Sequence, residues 1–336
     1  MTSKPSTTPL DRRSFLRIAG LSLGAGALYR VAPALAQGRE GEGLSSRLAQ
    51  ANGEAPSPFL FAQLSDTHVG FQGPPDPLGT QAFEKAAALI DGLPVRPEMI
   101  LFTGDLTHDS DDKDERVRRF RRFKEIAGRI RVPVKHLIPG EHDAAQDGGA
   151  LFRELVGETT YSFDHRGVHF VALDNVSRAK PEIGPERLTW LSRDLERYPK
   201  TTPIVVFTHR PLFDLRPDWE WFTRDGDKAM ALLAPYQNVT VLYGHIHREN
   251  AHDDGHARHY AARSLVFAFN DPAQPAKKPM PFDPAHPFRN LGVRLVRAGR
   301  DQATGGVSLG LEEIELTMRE HSGTEGFQQL LKATPA

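Results

Sequence analysis

Apolar residues in this chain come in short unbroken runs, separated by stretches of helical period. Phe59-Leu60-Phe61-Ala62-Gln63-Leu64 and Met99-Ile100-Leu101-Phe102 are almost free of polar interruption, which predicts strands covered on both faces. Val134–Ile138, Ile204–Phe207 and Val239–Tyr243 predict further strands, and Thr160–Asp164 with Val168–Leu173 predicts a hairpin turning at Arg166-Gly167. Between them, Phe83, Ala86, Ala87 and Ile90 fall on one helical stripe. A second helix, from about Asp114 to Ile130, collects Val117, Phe120, Ile126, Ala127 and Ile130 on one side. Its arginines and Lys124 read as a solvated face rather than an anion-binding patch. A third helix opens at Pro185, a favoured first position, and buries Leu188, Leu191 and Leu195. After about Ala261 the helical period fades. Leu265–Phe269, Gly292–Val296 and Val307–Leu316 read as strands of a second sheet, and the proline-rich stretch Asn270–Arg289 as a long loop.

The N-terminal segment follows other rules. Asp11-Arg12-Arg13-Ser14-Phe15-Leu16-Arg17 resembles the twin-arginine export signal, followed by an apolar stretch, Ile18 to Leu28, too short to span a bilayer comfortably. Ala34-Leu35-Ala36 offers a small-residue cleavage site. The expected organisation is a signal peptide over 1–36, a linker rich in Gly, Ser, Ala and Glu over 37–57, one α/β domain over 58–318, and a flexible tail over 319–336. The twin-arginine export machinery is then a partner, and the bacterial periplasm the destination. Gly20-Leu21-Ser22-Leu23-Gly24 matches a nucleophile-elbow pattern but lies inside the apolar segment with no preceding strand, so it carries no chemistry.

Composition narrows the chemistry. The 336 residues are 39% hydrophobic and 25% charged, as in an ordinary globular protein. A formal charge of −1, or −5 once 1–36 takes away five basic residues and one acid, gives no support to a nucleic-acid-coating role. There is no cysteine, which excludes disulfides, thiolate nucleophiles, thiolate zinc sites and iron–sulfur clusters. A metal would be held by His, Asp, Glu, Asn or backbone oxygen, and 14 histidines are a generous supply.

Five short polar units follow the predicted buried strands in order: Asp66-Thr67-His68, Gly104-Asp105, Gly140-Glu141-His142-Asp143, Thr208-His209 and Gly244-His245-Ile246-His247. Strand ends are where sites form in open α/β sheets, because several converge there on a rigid base. Alternate residues of an extended segment share a face, so Asp-x-His and His-x-His direct both side chains one way. Imidazoles and carboxylates without sulfur suit hard-to-borderline divalent metals.

This series resembles the signature of the calcineurin-like metallophosphoesterase family: Asp-x-His, Gly-Asp, Gly-Asn-His-(Asp/Glu), His, Gly-His-x-His. It looks closest to the exported, cyclic-nucleotide-phosphodiesterase-like branch. The resemblance implies a two-sheet β-sandwich flanked by helices, with two divalent or mixed-valence ions (Fe, Mn or Zn) at one end. It implies that Asp66, His68, Asp105 and His247 hold one ion, and that Asp105 bridges to a second completed by Glu141, His209 and His245. It implies hydrolysis of a small phosphoester by a bridging hydroxide, with His142 binding phosphate and protonating the leaving group and Asp143 orienting His142. The family's Asn is Glu141 here, one methylene longer and ordinarily ionised. Glu141 either ligates, or points aside with water in its place, or marks a degraded centre. An extra carboxylate should tighten the second ion while softening its pull on phosphate and water. The alternative from another class is a periplasmic metal- or phosphate-ligand-binding protein on the same fold.

Around these units the reading stays open. Phe71–Pro77 reads as a rim loop. Trp219, Trp221 and Phe222 either stack a flat substrate group or pin their loop to the body. His108 reads as structural or as support to a ligand, and His252, His256 and His259 as exposed loop histidines. The oligomeric state is not set by any of these features.

Overall fold

A computed structural model describes residues 58–144, 146–300 and 307–316; the expected signal peptide, linker and C-terminal tail lie outside them. In chain order the elements are β1 (Phe59–Leu64), α1 (Gln81–Gly92), β2 (Met99–Thr103), α2 (Lys113–Arg129), β3 (Val134–Ile138), α3 (Glu141–Ala144), α4 (Ala150–Leu155), β4 (Tyr161–His165), β5 (Val168–Ala172), α5 (Pro185–Leu195), β6 (Ile204–Phe207), α6 (Gly226–Leu233), β7 (Val239–Tyr243), β8 (Asn250–Asp253), β9 (Ala257–Ala261), β10 (Gly292–Arg300) and β11 (Val307–Glu315).

Every position of β1 is buried, and its alternating sides serve two cores. Leu60, Ala62 and Leu64 pack with Phe83 and Ile90 of α1 and with Phe120 and Phe123 of α2. Phe59 and Phe61 face the other way, toward Phe170, Val205 and Phe207 of a second sheet. Burial on both faces removes the polar alternation of a half-exposed strand, which is why β1 reads as one apolar run. On the far side, Val206 and Val241 pack against Leu191 and Leu195 of α5 and Leu233 of α6. The result is four layers, helix, sheet, sheet and helix.

The first sheet runs β11-β10-β1-β2-β3 and the second β4-β5-β6-β7-β9-β8. β1, β2 and β3 are parallel, as are β5, β6, β7 and β9, so within each sheet the carboxyl ends gather at one edge. The arginines of α2 pair with acids, Arg118 and Arg119 with Glu115, Arg122 with Glu84 and Glu125, as a solvated helix face would.

Three expectations are corrected. Gly292–Val296 and Val307–Leu316 do form strands, but they extend the first sheet, where β10 pairs antiparallel with β1 from Phe59↔Ala298 to Gln63↔Arg294. Leu265–Phe269 is not a strand: Phe267 O is taken by the Ser264 hydroxyl and the His247 ring, so it is not free for a ladder. The segment with His252, His256 and His259 is the hairpin β8–β9 rather than an exposed loop. His259 is fully buried, edge-on to Phe213 and bonded to Asp254, because β9 lies inside its sheet, between β7 and β8.

Phe61 has no exposed surface and meets the Phe170 ring edge-on at 5.6 Å between the sheets. Phe61→Ala is expected to cost about 3–5 kcal/mol in urea unfolding with chelator present throughout. A loss below about 1 kcal/mol would mean that the two sheets do not depend on this contact.

Candidate metal centre

The loops that carry the polar units are held in costly backbone shapes. Asp66, His68, Asp105, His245 and His247 all have positive φ, between 40° and 66°. Each such residue costs roughly 1–2 kcal/mol unless its surroundings enforce it. Cross-braces between loops enforce it here. Asp66 N donates to Gly104 O (3.1 Å), His68 N to Asp105 O (2.9 Å), and Leu265 N to Asp66 O (3.1 Å). The amide of His245, from the other sheet, donates to the Asp66 carboxylate (3.1 Å). Gly140 and Gly244 are required by this proximity: a Cβ at Gly140 would overlap the amide and carboxylate of Asp105, and one at Gly244 would overlap Ser65 and Asp66.

All seven predicted ligands converge into two groups. Asp66, His68, Asp105 and His247 offer atoms within 4.8 Å of one another, and so do Glu141, His209 and His245. Asp105 stands between them, its Oδ2 3.2 Å from His68 Nε2 and 3.4 Å from His209 Nε2. Glu141 does not point aside. Its Oε2 lies 2.7 Å from His209 Nε2 and its Oε1 2.8 Å from His245 Nδ1, with Arg210 Nη2 at 3.6 Å.

Whether these residues suit a cation can be judged from their outer nitrogens. His209 Nδ1 faces Thr103 O (2.7 Å), His245 Nε2 faces Glu220 O (3.1 Å), and His247 Nδ1 faces Phe267 O (2.9 Å). A carbonyl can only accept, so each of these nitrogens carries the proton. On a neutral ring the inward nitrogens of His209, His245 and His247 are then lone pairs turned toward carboxylates or another ring; His247 Nε2 and His68 Nε2 are 3.2 Å apart. Glu141 Oε2 and His209 Nε2, buried and 2.7 Å apart, have no other hydrogen-bond partner among the described residues. Opposed lone pairs repel unless positive charge sits between them, so the set fits cations. A proton answers the same field: burial opposes charge on His209, yet Asp105 and Glu141 raise it well above its ordinary value. Likewise burial and Glu141 oppose ionisation of Asp105, but His209, His142 and His68 hold it well below the usual carboxylate range.

His68 is oriented differently. Its Nδ1 meets no carbonyl but His108 Nδ1 at 3.2 Å, one ring donating to the other. Burial, His142 and His68 lower His108 to about 4, which keeps that ring neutral.

The expected pairing of His142 with Asp143 is also corrected. His142 Nδ1 lies 2.6 Å from Asp109 Oδ1. Asp143 is occupied elsewhere, accepting from Gly140 N, Leu106 N, Thr107 N and the Thr107 hydroxyl at 2.8–2.9 Å, and so braces the Asp105 loop. Burial and Asp105 push it up to about 7 against those donors. Although burial disfavours its charge, His142 is raised to about 9 by Asp105, Asp109 and Glu141. Asp109 in turn is lowered to about 2, chiefly by the bond from His142.

The Trp219–Trp221 question resolves toward pinning. Both indoles are buried with Tyr243 and Ile246, and between them Glu220 turns with φ 58°. That turn presents Glu220 O to both His245 and Arg210. Phe71 packs edge-on to the His108 ring, placing the expected rim loop beside His142. His108 and Asp109 lie three and four residues after Asp105, but nothing in their spacing says which ring each would meet.

A four-layer sandwich with two groups of inward-facing imidazoles and carboxylates sharing one aspartate is the architecture of a dinuclear hydrolase. Residues 59–249 match the calcineurin-like phosphoesterase family, and the chain belongs to it. It is a metal-dependent phosphoester hydrolase. A probable glycerophosphodiester phosphodiesterase from Arcobacter nitrofigilis is 26% identical over 207 residues, 56% of this chain and 72% of the relative. A dimetal phosphatase from Danio rerio has the same fold (TM-score 0.52, 14% identity, 75% of this chain and 98% of that one). So does a purple acid phosphatase from yellow lupin (0.55, 12%, 77% and 52%). The GAP50 anchor of the Plasmodium inner membrane complex shares it too (0.52, 12%, 83% and 95%).

Two outcomes follow from this geometry. In metal-free protein the His142 ring should titrate near pH 9, and Asp109→Asn should move it down, as read by NMR. Because the folded value is raised, His142 stabilises the fold fully below about 6.5 and this contribution fades as pH rises through about 9. An unmoved titration in the variant would sever the pair. His108→Leu should weaken metal binding at the Asp66 group by about 10–100-fold in an equilibrium titration, and His108→Gln, which keeps an acceptor, by less.

Proposed function

We propose that this protein hydrolyses phosphodiesters at a centre holding two cations, one by Asp66, His68, Asp105 and His247 and the other by Asp105, Glu141, His209 and His245. The observation that carries this is the set of imidazoles and carboxylates turned inward on both sides of Asp105. Bound there, divalent or mixed-valence ions of Fe, Mn or Zn would supply positive charge for phosphoryl oxygens and acidify the water that acts as nucleophile. Preference for diesters is supported by the name of the Arcobacter relative.

The chain's own part is positioning and proton transfer. His142, anchored through Nδ1 to Asp109, keeps Nε2 as the atom that holds a phosphoryl oxygen and gives its proton to the departing alkoxide. Cations among Asp105 and Glu141 would cancel most of the field that raises His142, leaving the Asp109 bond to keep it protonated near neutral pH. Arg210, 3.6 Å from Glu141 and bonded to Glu220 O, offsets part of the charge by which Glu141 differs from asparagine. The twin arginines Arg12 and Arg13 support export of the folded enzyme to the periplasm.

The test is hydrolysis of bis-(p-nitrophenyl) phosphate, p-nitrophenyl phosphate and a glycerophosphodiester by protein loaded with Fe, Mn, Zn or Co. Diester hydrolysis that chelator abolishes is expected; no turnover with any metal would favour the ligand-binding alternative. His142→Ala should keep its metal content but lose about 10²–10⁴-fold in turnover on the glycerophosphodiester, and much less on nitrophenyl esters. Full activity on the glycerophosphodiester would remove His142 from proton transfer.

A further inference from the structure

The proline-rich loop after Phe269 is tightly clasped. Asn270 N donates to Lys278 O (3.0 Å), Lys278 N to Asn270 Oδ1 (2.8 Å) and Asn270 Nδ2 to Ala276 O (2.9 Å). Arg216 donates to Pro272 O (3.0 Å) and Arg248 to Asn270 O (2.9 Å), tying the loop to the two segments that support His245 and His247. From Ala273 to Met280 every residue is exposed except Lys277. Its ammonium lies 4.4 Å from the Phe269 ring centre and 5.8 Å from that of Trp221. Phe269 in turn packs on the His247 ring at 4.8 Å.

Lys277 is thus carried from an outer loop to the mouth of the centre, within coulombic reach of Glu141, Arg210, Glu220 and Asp105. Partial burial lowers its pKa, so the charge is held at a cost. Among the described residues it forms no ion pair. The two rings compensate only in part, by roughly 0.5–2 kcal/mol. A lysine free to extend into water needs no such loop. Its placement is explained by an anion that arrives from outside, and the centre has reason to need help with anions. Asp66, Asp105 and Glu141 put three carboxylates in the ligand set, where asparagine at 141 would leave two. The added charge weakens the pull on a phosphoryl anion by simple coulombic opposition.

We propose that Lys277 binds the anionic phosphoryl oxygens of the substrate at the entrance to the centre and so offsets the charge of Glu141. This rests on the phosphoesterase reading for its substrate class, while the anion subsite itself can be read with inorganic phosphate alone.

The experiment uses the full chain with metal content measured for every variant. Lys277→Met keeps the apolar stem on Phe269 and Trp221 and removes the charge; Lys277→Arg keeps the charge. For Lys277→Met we expect unchanged metal content, and a KM for bis-(p-nitrophenyl) phosphate raised about tenfold or more with kcat within about threefold. The inhibition constant of inorganic phosphate should rise in parallel, and Lys277→Arg should stay within about threefold of wild type. An active wild type with unchanged KM and phosphate inhibition in Lys277→Met overturns the assignment and leaves the phosphoesterase reading standing. Equal losses in the Met and Arg variants also overturn it, since they point to loop packing. If wild type shows no turnover but binds phosphate in an equilibrium titration, and Lys277→Met weakens that binding, the hydrolytic reading falls and Lys277 stands. No phosphate binding by wild type overturns both.

Discussion

The carboxylate of Asp105 is the point at which the two halves of this protein meet in the polar centre. It stands at the end of β2 in the first sheet, yet its Oδ2 lies against His209 at the end of β6 in the second. Its Oδ1 accepts the His142 amide, and its carbonyl accepts the His68 amide. A buried carboxylate is costly unless positive charge or donors surround it. Beyond the His142 amide, the compensation comes from the rings around it and from the protons or cations they would hold. The binding free energy of cations held there would also be folding free energy for the strained loops around them.

Those loops explain why both sheets are needed. Five of the candidate ligands sit at positive φ, a conformation that neither local sequence nor side-chain packing favours. Each is enforced by hydrogen bonds from another loop, and the His245–Asp66 pair crosses between the sheets. The aromatic turn around Glu220 and the irregular stretch ending at Phe269 have the same purpose at one remove. Their carbonyls take the outer protons of His245 and His247 and thereby set which nitrogen faces inward. Glu141 alters the electrostatics without altering this plan, since its two oxygens reach His209 and His245 directly.

Much of this was legible in the sequence. Strands buried on both faces leave continuous apolar runs, so β1, β2, β6 and β7 were readable, and residue type and order marked the polar residues that converge at their ends. Less was legible where an element is set by its neighbours. Leu265–Phe269 has a strand-like pattern but gives its Phe267 carbonyl to the site. The polar hairpin β8–β9 lacks a strand pattern but is completed by pairing with β7. Asp143 looked like the partner of His142 because it is adjacent in sequence; in α3 its side chain turns instead to the amides of the Asp105 loop.

The sequence by itself determined the four-layer class, the seven candidate ligands and their order, and the departure at Glu141, because these depend on residue type and on periods that single segments carry. Only the tertiary structure decided the partner of His142, the ring behind His68 and the inward reach of Lys277. Each of those is a contact between loops distant in sequence or bent out of regular geometry, and its direction exists only once the two sheets have closed on each other.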